Sequence, residues 1–115
     1  MAFTELEKKK YGKLMADFVG KRRPPQEIRD KVDLAYRIER QSIVIFEIRP
    51  LMFDSGRKIE SPIAKTTFVR TQKIWNVYWM RRDLKWHSYP LQSRVRSLAR
   101  FLELVDDDAM CCFWG

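Results

Sequence analysis

The sequence predicts an α+β domain: an antiparallel meander of about five strands, with an N-terminal helix and a C-terminal helix packed on one face. Three observations predict it. Apolar residues recur at helical spacing near both ends of the chain, and the roughly sixty residues between them switch to period two. Turn chemistry separates the alternating stretches. The chain has 115 residues, 45% of them hydrophobic and 13% aromatic, enough for one real core and cramped for two, so 1–115 reads as a single domain. This composition excludes a disordered or collagen-like chain.

The first element is a basic amphipathic helix within residues 1–20. Thr4-Glu5-Leu6-Glu7 fits a capping box, and Leu6, Tyr11, Leu14, Met15 and Phe18 follow at mostly helical spacing, with Gly20 as the stop. Lys21-Arg22-Arg23-Pro24-Pro25 is a basic extended connector, and Pro25 opens a short helix over Gln26 to Lys31. The sheet spans 32–89. Leu34, Tyr36 and Ile38 alternate as a first strand, Arg40-Gln41 turns, and Ser42 to Leu51 is a second, more buried strand. Phe53 to Lys58 is turn chemistry, Ile63 to Arg70 a third strand, Thr71-Gln72-Lys73 a turn, and Ile74 to Arg82 a fourth strand. Leu84 to Tyr89 forms a fifth strand before Pro90 stops it. From 92 to 105 the helical period returns in Val95, Leu98, Leu102 and Val105, and Asp106-Asp107-Asp108 cap a short last turn.

Four strings taken together resemble a small bacterial family known only as a domain of unknown function. They are Arg23-Pro24-Pro25 through Tyr36-Arg37-Ile38; Phe46-Glu47-Ile48-Arg49-Pro50; Ile59-Glu60-Ser61-Pro62-Ile63-Ala64-Lys65; and Trp75-x-x-Tyr78-Trp79 through Asp83-Leu84-Lys85-Trp86-His87-x-Tyr89. The resemblance runs from about Arg23 to Trp114 and implies a self-standing bacterial domain. It brings no activity, cofactor or site residue.

His87 is the single histidine, so any Ser-His-Asp triad would need it, and no nucleophile elbow is present. Its plain reading is a strand histidine beside Trp86 and Tyr89. Adjacent Cys111 and Cys112 lack zinc-ligand spacing and form no disulfide framework, which points to a reduced cytoplasm. Asp106–Asp108 reads as a solvated acidic turn rather than a magnesium site. The four glycines stand alone, so no loop cradles phosphate. No run approaches a membrane span. No catalytic residue, metal ligand or cofactor is assigned.

One signal survives these exclusions. Net charge is +8, and residues 70–100 hold eight basic residues against one acid, Asp83. The predicted binding residues are Arg70, Lys73, Tyr78, Arg81, Arg82, Lys85, His87, Tyr89, Arg94, Arg96 and Arg100. Cations track phosphates while aromatic rings stack bases, so a non-enzymatic domain binding a polyanion such as nucleic acid is the leading expectation. Trp75 and Trp79 should lie under the helices. Tyr78 and Arg82 should be exposed, and Lys85, His87 and Tyr89 should share a face opposite Leu84 and Trp86. The alternative is a protein-interaction module, accessory or inhibitory in a bacterial or phage system, seated on an acidic protein. A third reading is a metal-dependent, nuclease-like enzyme using Asp83 and His87. Apolar residues on both faces of Ser42–Leu51 also raise a homodimer.

Overall fold

The computed structural model describes residues 2–51 and 54–114. The elements run α1 (Glu5–Arg22), a single 3₁₀ turn (Gln26–Ile28), β1 (Asp33–Glu39), β2 (Ser42–Leu51), β3 (Asp54–Val69), β4 (Ile74–Met80), β5 (Trp86–Ser88), β6 (Arg94–Val95) and α2 (Leu98–Asp107). All strand pairs are antiparallel in the order β1-β2-β3-β4-β5, with β6 also pairing β4. The α+β class and the one-sided meander are as the sequence predicts.

Helix α1 starts where the capping box places it. The Glu7 amide donates to Thr4 Oγ1 at 3.2 Å and the Thr4 amide donates to Glu7 Oε1 at 2.8 Å. It does not end at Gly20. The helix continues to Arg22, and Arg23 is extended (φ −61°, ψ 137°), because the ring of Pro24 disfavours helical backbone in the residue before it. Proline, not glycine, is the stop. Met15 and Val19 are buried, whereas Leu6 lies 81% exposed and belongs to no apolar stripe.

Four other boundaries differ from expectation, each for a local reason. The short helix after Pro25 is one turn only. The expected turn at 53–58 is strand from Asp54 onward, because Arg49 and Pro50 pair with Ile59 and Lys58 and cross-strand bonding overrides the Asp-Ser-Gly turn chemistry. Phe53 lies outside the described residues. Strand β4 stops at Met80, and residues 81–85 form the turn, in which the Leu84 amide donates to the Arg81 carbonyl at 2.9 Å. The closing helix begins at Leu98 instead of 92, with Ser97 Oγ accepting from the Arg100 amide. The residues before it pair with β4 instead.

Strands β5 and β6 lie along one edge of β4. Tyr78 to Met80 pair with Ser88 to Trp86, and Trp75 and Asn76 pair with Val95 and Arg94. Between them, the Tyr89 amide donates to the Val77 carbonyl and the Val77 amide to the Ser93 carbonyl, each at 2.9 Å. The two strands are thus one edge strand with an excursion at Pro90-Leu91-Gln92. Proline has no amide to give a ladder, so the interruption falls there.

Alternation sorts the side chains. The helix-side face carries Leu34, Ile43, Ile45, Ala64, Thr66, Trp75 and Val77, and these meet Met15 and Val19 of α1 and Leu98, Phe101, Leu102, Leu104 and Val105 of α2. Buried Thr66 satisfies its hydroxyl on the Asn76 carbonyl at 2.8 Å. A β-bulge between Ile45 and Phe46 leaves Ile63 as the extra residue and turns it into the same core. Phe3, Tyr11, Phe68 and Trp75 form an aromatic cluster with centroids 4.9 to 6.4 Å apart under the start of α1.

Two ion pairs tie the first thirty residues to the sheet. Arg70 donates to both Glu7 oxygens at 2.9 and 3.1 Å, and Arg23 donates to both Asp33 oxygens at 2.7 Å. Arginine beside each carboxyl lowers Glu7 and Asp33 to about 2 from ordinary values of 4.5 and 3.8. A lowered folded pKa gives stability that is complete above the unfolded pKa and is lost as the carboxyl protonates. Denaturant midpoints are therefore expected to fall as pH drops from about 4.5 to about 2. Glu7→Gln should flatten that fall relative to the native chain; an unchanged pH profile would show that the Glu7–Arg70 pair contributes nothing.

Candidate nucleic-acid interface

The basic segment 70–100 does not fold into one patch. Arg70 and Lys73 sit at the β3–β4 turn, and Arg96 lies beside them before α2. Arg81, Arg82 and Lys85 occupy the β4–β5 turn at the far end of β4. Seven residues of β4 separate the two groups, about 20 Å at the rise of an extended strand. Arg94 stands between them on the helix-free face, opposite Asn76. Arg100 lies on α2 and bonds Glu103 and Gln92.

Two of the aromatic and histidine assignments need correction. Tyr89 is fully buried, its ring 4.8 Å from Phe113, and burial raises its phenol pKa. It belongs to the core. His87 lies opposite Trp79 and therefore on the helix side, half-buried, with Nε2 2.8 Å from Asp83 Oδ2. That contact holds the Asp83 carboxyl below its usual range. His87 and Tyr89 share a face opposite Trp86, as the alternation predicts, but that face is the one the helices cover. Directly paired residues share a face, and Trp79 faces the helices. Leu84 and Lys85 are in the turn, with Leu84 at φ 61° and 80% exposed.

The helix-free face is organised in rows across the strands. One row runs Arg37, Val44, Lys65, Tyr78 and Ser88; its neighbour runs Glu39, Ser42, Thr67, Asn76 and Arg94. Beyond them lie Met80 and its partner Trp86. The Lys65 ammonium sits 5.8 Å from the centroids of both Tyr78 and Trp86. The Asn76 amide donates to the Tyr78 hydroxyl at 3.4 Å, and Ser42 and Thr67 share a hydroxyl bond of 2.7 Å. Arg37 lies 4.7 Å over the Phe46 ring and bonds Glu39 and Glu60, each at 2.6 Å. Its charge is thus spent within the sheet, while Lys65 and Arg94 make no ion pair among the described residues.

Lys65 and Trp86 are absent from the eleven residues singled out by sequence. Trp86 was placed opposite the expected binding face, and Lys65 lay outside the most basic segment. Register is the signal that finds them: Tyr78 pairs with Lys65 on one side and Ser88 on the other, which brings Trp86 one pair away.

The acidic triplet has structural work. Asp106 pairs with Arg22 at 3.1 Å, joining the ends of the two helices. Asp108 takes left-handed backbone (φ 43°) and accepts from the amides of Phe113 and Trp114 at 3.0 and 2.9 Å. Among the described residues no group of three or more His, Cys, Asp or Glu is placed to hold a metal ion. No helix among them is long and apolar enough to cross a membrane.

The family model described as a domain of unknown function, DUF3024, matches residues 3–115. The chain belongs to that family. The match reaches further than the four strings, since it includes α1. No curated protein and no solved structure matches the chain.

Asp108→Ala removes both acceptors for the C-terminal amides and should cost about 1–3 kcal/mol by denaturant titration. Asp108→Asn keeps one oxygen and tolerates left-handed backbone, so it should lose less. Equal losses in the two variants would show that the paired acceptors are not what holds Phe113 and Trp114.

Proposed function

We propose that this member of the DUF3024 family is a non-enzymatic binding domain that lays a single-stranded polyanion, most simply nucleic acid, across the helix-free face of its sheet. One observation carries the reading: the Lys65 ammonium lies 5.8 Å from the ring centroids of both Tyr78 and Trp86, on a face no helix covers. A cation flanked by two half-exposed rings is what a phosphate between two stacked bases requires. Arg94 extends the track toward one end, and Arg81, Arg82 and Lys85 lie at the other. The setting is a reducing bacterial cytoplasm, in which Cys111 and Cys112 remain thiols.

A second reading, docking to an acidic protein surface, is favoured by Leu84. A leucine held 80% exposed among Arg81, Arg82 and Lys85 offers an apolar contact inside a charged rim. A second copy of the chain is the remaining occupant for the helix-free face, and sedimentation of the free protein reads it directly.

The test is anisotropy of labelled single-stranded DNA and RNA over a salt series. Saturable binding should weaken steeply with salt. Tyr78→Ala and Trp86→Ala should each lose about 1–3 kcal/mol, roughly 5- to 150-fold, with unchanged melting curves. Lys65→Gln should lower the salt slope by about 0.7, as expected for one phosphate contact on a single strand. Absence of binding at low salt would defeat the reading. Affinity that depends on Leu84 rather than on Tyr78 and Trp86 would transfer the face's role to the β4–β5 turn.

A further inference from the structure

A cavity of about 540 Å³ opens at the other end of the molecule, between the first turns of α1, the β3–β4 turn and the start of α2. Pockets that hold small ligands run from about 300 to 1,000 Å³, with an apolar body and a few convergent polar groups. This one has both parts. Tyr11 and Phe68, half-buried, form its inner wall with Trp75 behind them, and the Tyr11 and Trp75 rings meet edge to face at 5.0 Å. Lys10, Lys73 and Arg96 stand around its mouth, supplied by three separate segments.

The charge balance at this mouth is one-sided. Glu7 is the acid lining the cavity, and both its oxygens are taken by Arg70. That pair is neutral as a unit. Lys10, Lys73 and Arg96 make no ion pair among the described residues, and the Lys10 ammonium lies 5.8 Å from the Tyr11 ring centroid. Three like charges around one concavity repel each other, and a low-dielectric wall behind them focuses their field. A solvated surface spreads such charges apart; here the fold gathers them over an aromatic wall.

We propose that this cavity binds a phosphate monoester carrying a planar ring, that is, a nucleoside monophosphate, either free or as the phosphorylated end of a chain. The ring would lie against Tyr11 and Phe68, and the phosphate would meet Lys10, Lys73 and Arg96. A dianionic phosphate matches several cations better than a single carboxylate does, and arginine offers it paired donors. The proposal stands apart from the helix-free face, because Lys65, Tyr78 and Trp86 take no part in it.

Calorimetric titration with adenosine 5′-monophosphate, adenosine and inorganic phosphate at low salt tests it. The monophosphate should bind saturably, with adenosine and phosphate each weaker by at least roughly tenfold. Lys73→Gln/Arg96→Gln changes two exposed side chains and should keep its melting curve while losing at least roughly tenfold in affinity. Trp86→Ala should leave this affinity unchanged. No saturation by millimolar monophosphate, or binding lost with Trp86→Ala and kept in the double variant, would overturn the proposal. Oligonucleotides with a 5′-phosphate or a 5′-hydroxyl distinguish the source. Preference for the phosphorylated end assigns the pocket to chain ends, and equal weak competition assigns it to the free monophosphate.

Discussion

Two helices of 18 and 10 residues lie against a six-stranded sheet, and both lie on the same side of it. The period of two along every strand then divides the chain's side chains into those that meet the helices and those that do not. Strand β4 shows the division most plainly. Trp75 and Val77 are 2% and 0% exposed, while Asn76 and Tyr78, which alternate with them, point to the uncovered side. A one-residue slip would exchange the two sets, placing Tyr78 in the core and Trp75 in water. Such a slip also misaligns Thr66, whose buried hydroxyl depends on the Asn76 carbonyl. The core therefore sets the register, and the register composes the open face.

The uncovered side still contains buried apolar groups. Val44 and Phe46 are 5% and 6% exposed although they face away from the helix-side core cluster. Their cover is local. Arg37 lies across Phe46, and Val44 stands in its row between Arg37 and Lys65. Long basic side chains cover apolar surface with their methylenes and keep the charged head in water. This explains why Ser42–Leu51 reads as apolar on both faces without either requiring a second copy. Lys65 is the cross-strand neighbour of Val44, and its ammonium reaches 5.8 Å from the ring centroids of Tyr78 and Trp86.

Much of the fold was legible in the sequence, because alternation and capping are local signals. Thr4 and Glu7 gave the start of α1, and Ser42–Leu51 matches β2 residue for residue. What failed depended on partners distant in sequence. Gly20 looked like a helix stop, but only the following prolines constrain the backbone there. Asp54 to Lys58 looked like a turn until Arg49 and Pro50 supplied a ladder. Tyr89 looked exposed because its face could not be known without the pairing of His87 with Trp79. The candidate site suffered from the same gap. Tyr78 was visible by parity along its own strand, whereas Lys65 and Trp86 reach it only across strands.

The charge of the chain takes on a different meaning in three dimensions. Residues 70–100 hold eight basic side chains, which suggests one large patch. Folding sends six of them to the two ends of β4, because each end of a strand is a turn and turns tolerate lysine and arginine without burial cost, and leaves Arg94 on the sheet face and Arg100 on α2. At one end the cations gather over an aromatic cavity, and at the other they surround an exposed leucine. Between the ends lies a sheet face on which Arg37 is paired with Glu39 and Glu60 and two half-exposed rings, Tyr78 and Trp86, lie near Lys65. Density of charge along the sequence is therefore a poor guide to a binding surface in a meander. The more telling quantity is which cations remain unpaired after the sheet's own acids are satisfied. By that measure Arg70, Arg37 and Arg23 belong to the architecture, whereas Lys65, Lys73, Arg94 and Arg96 make no ion pair among the described residues.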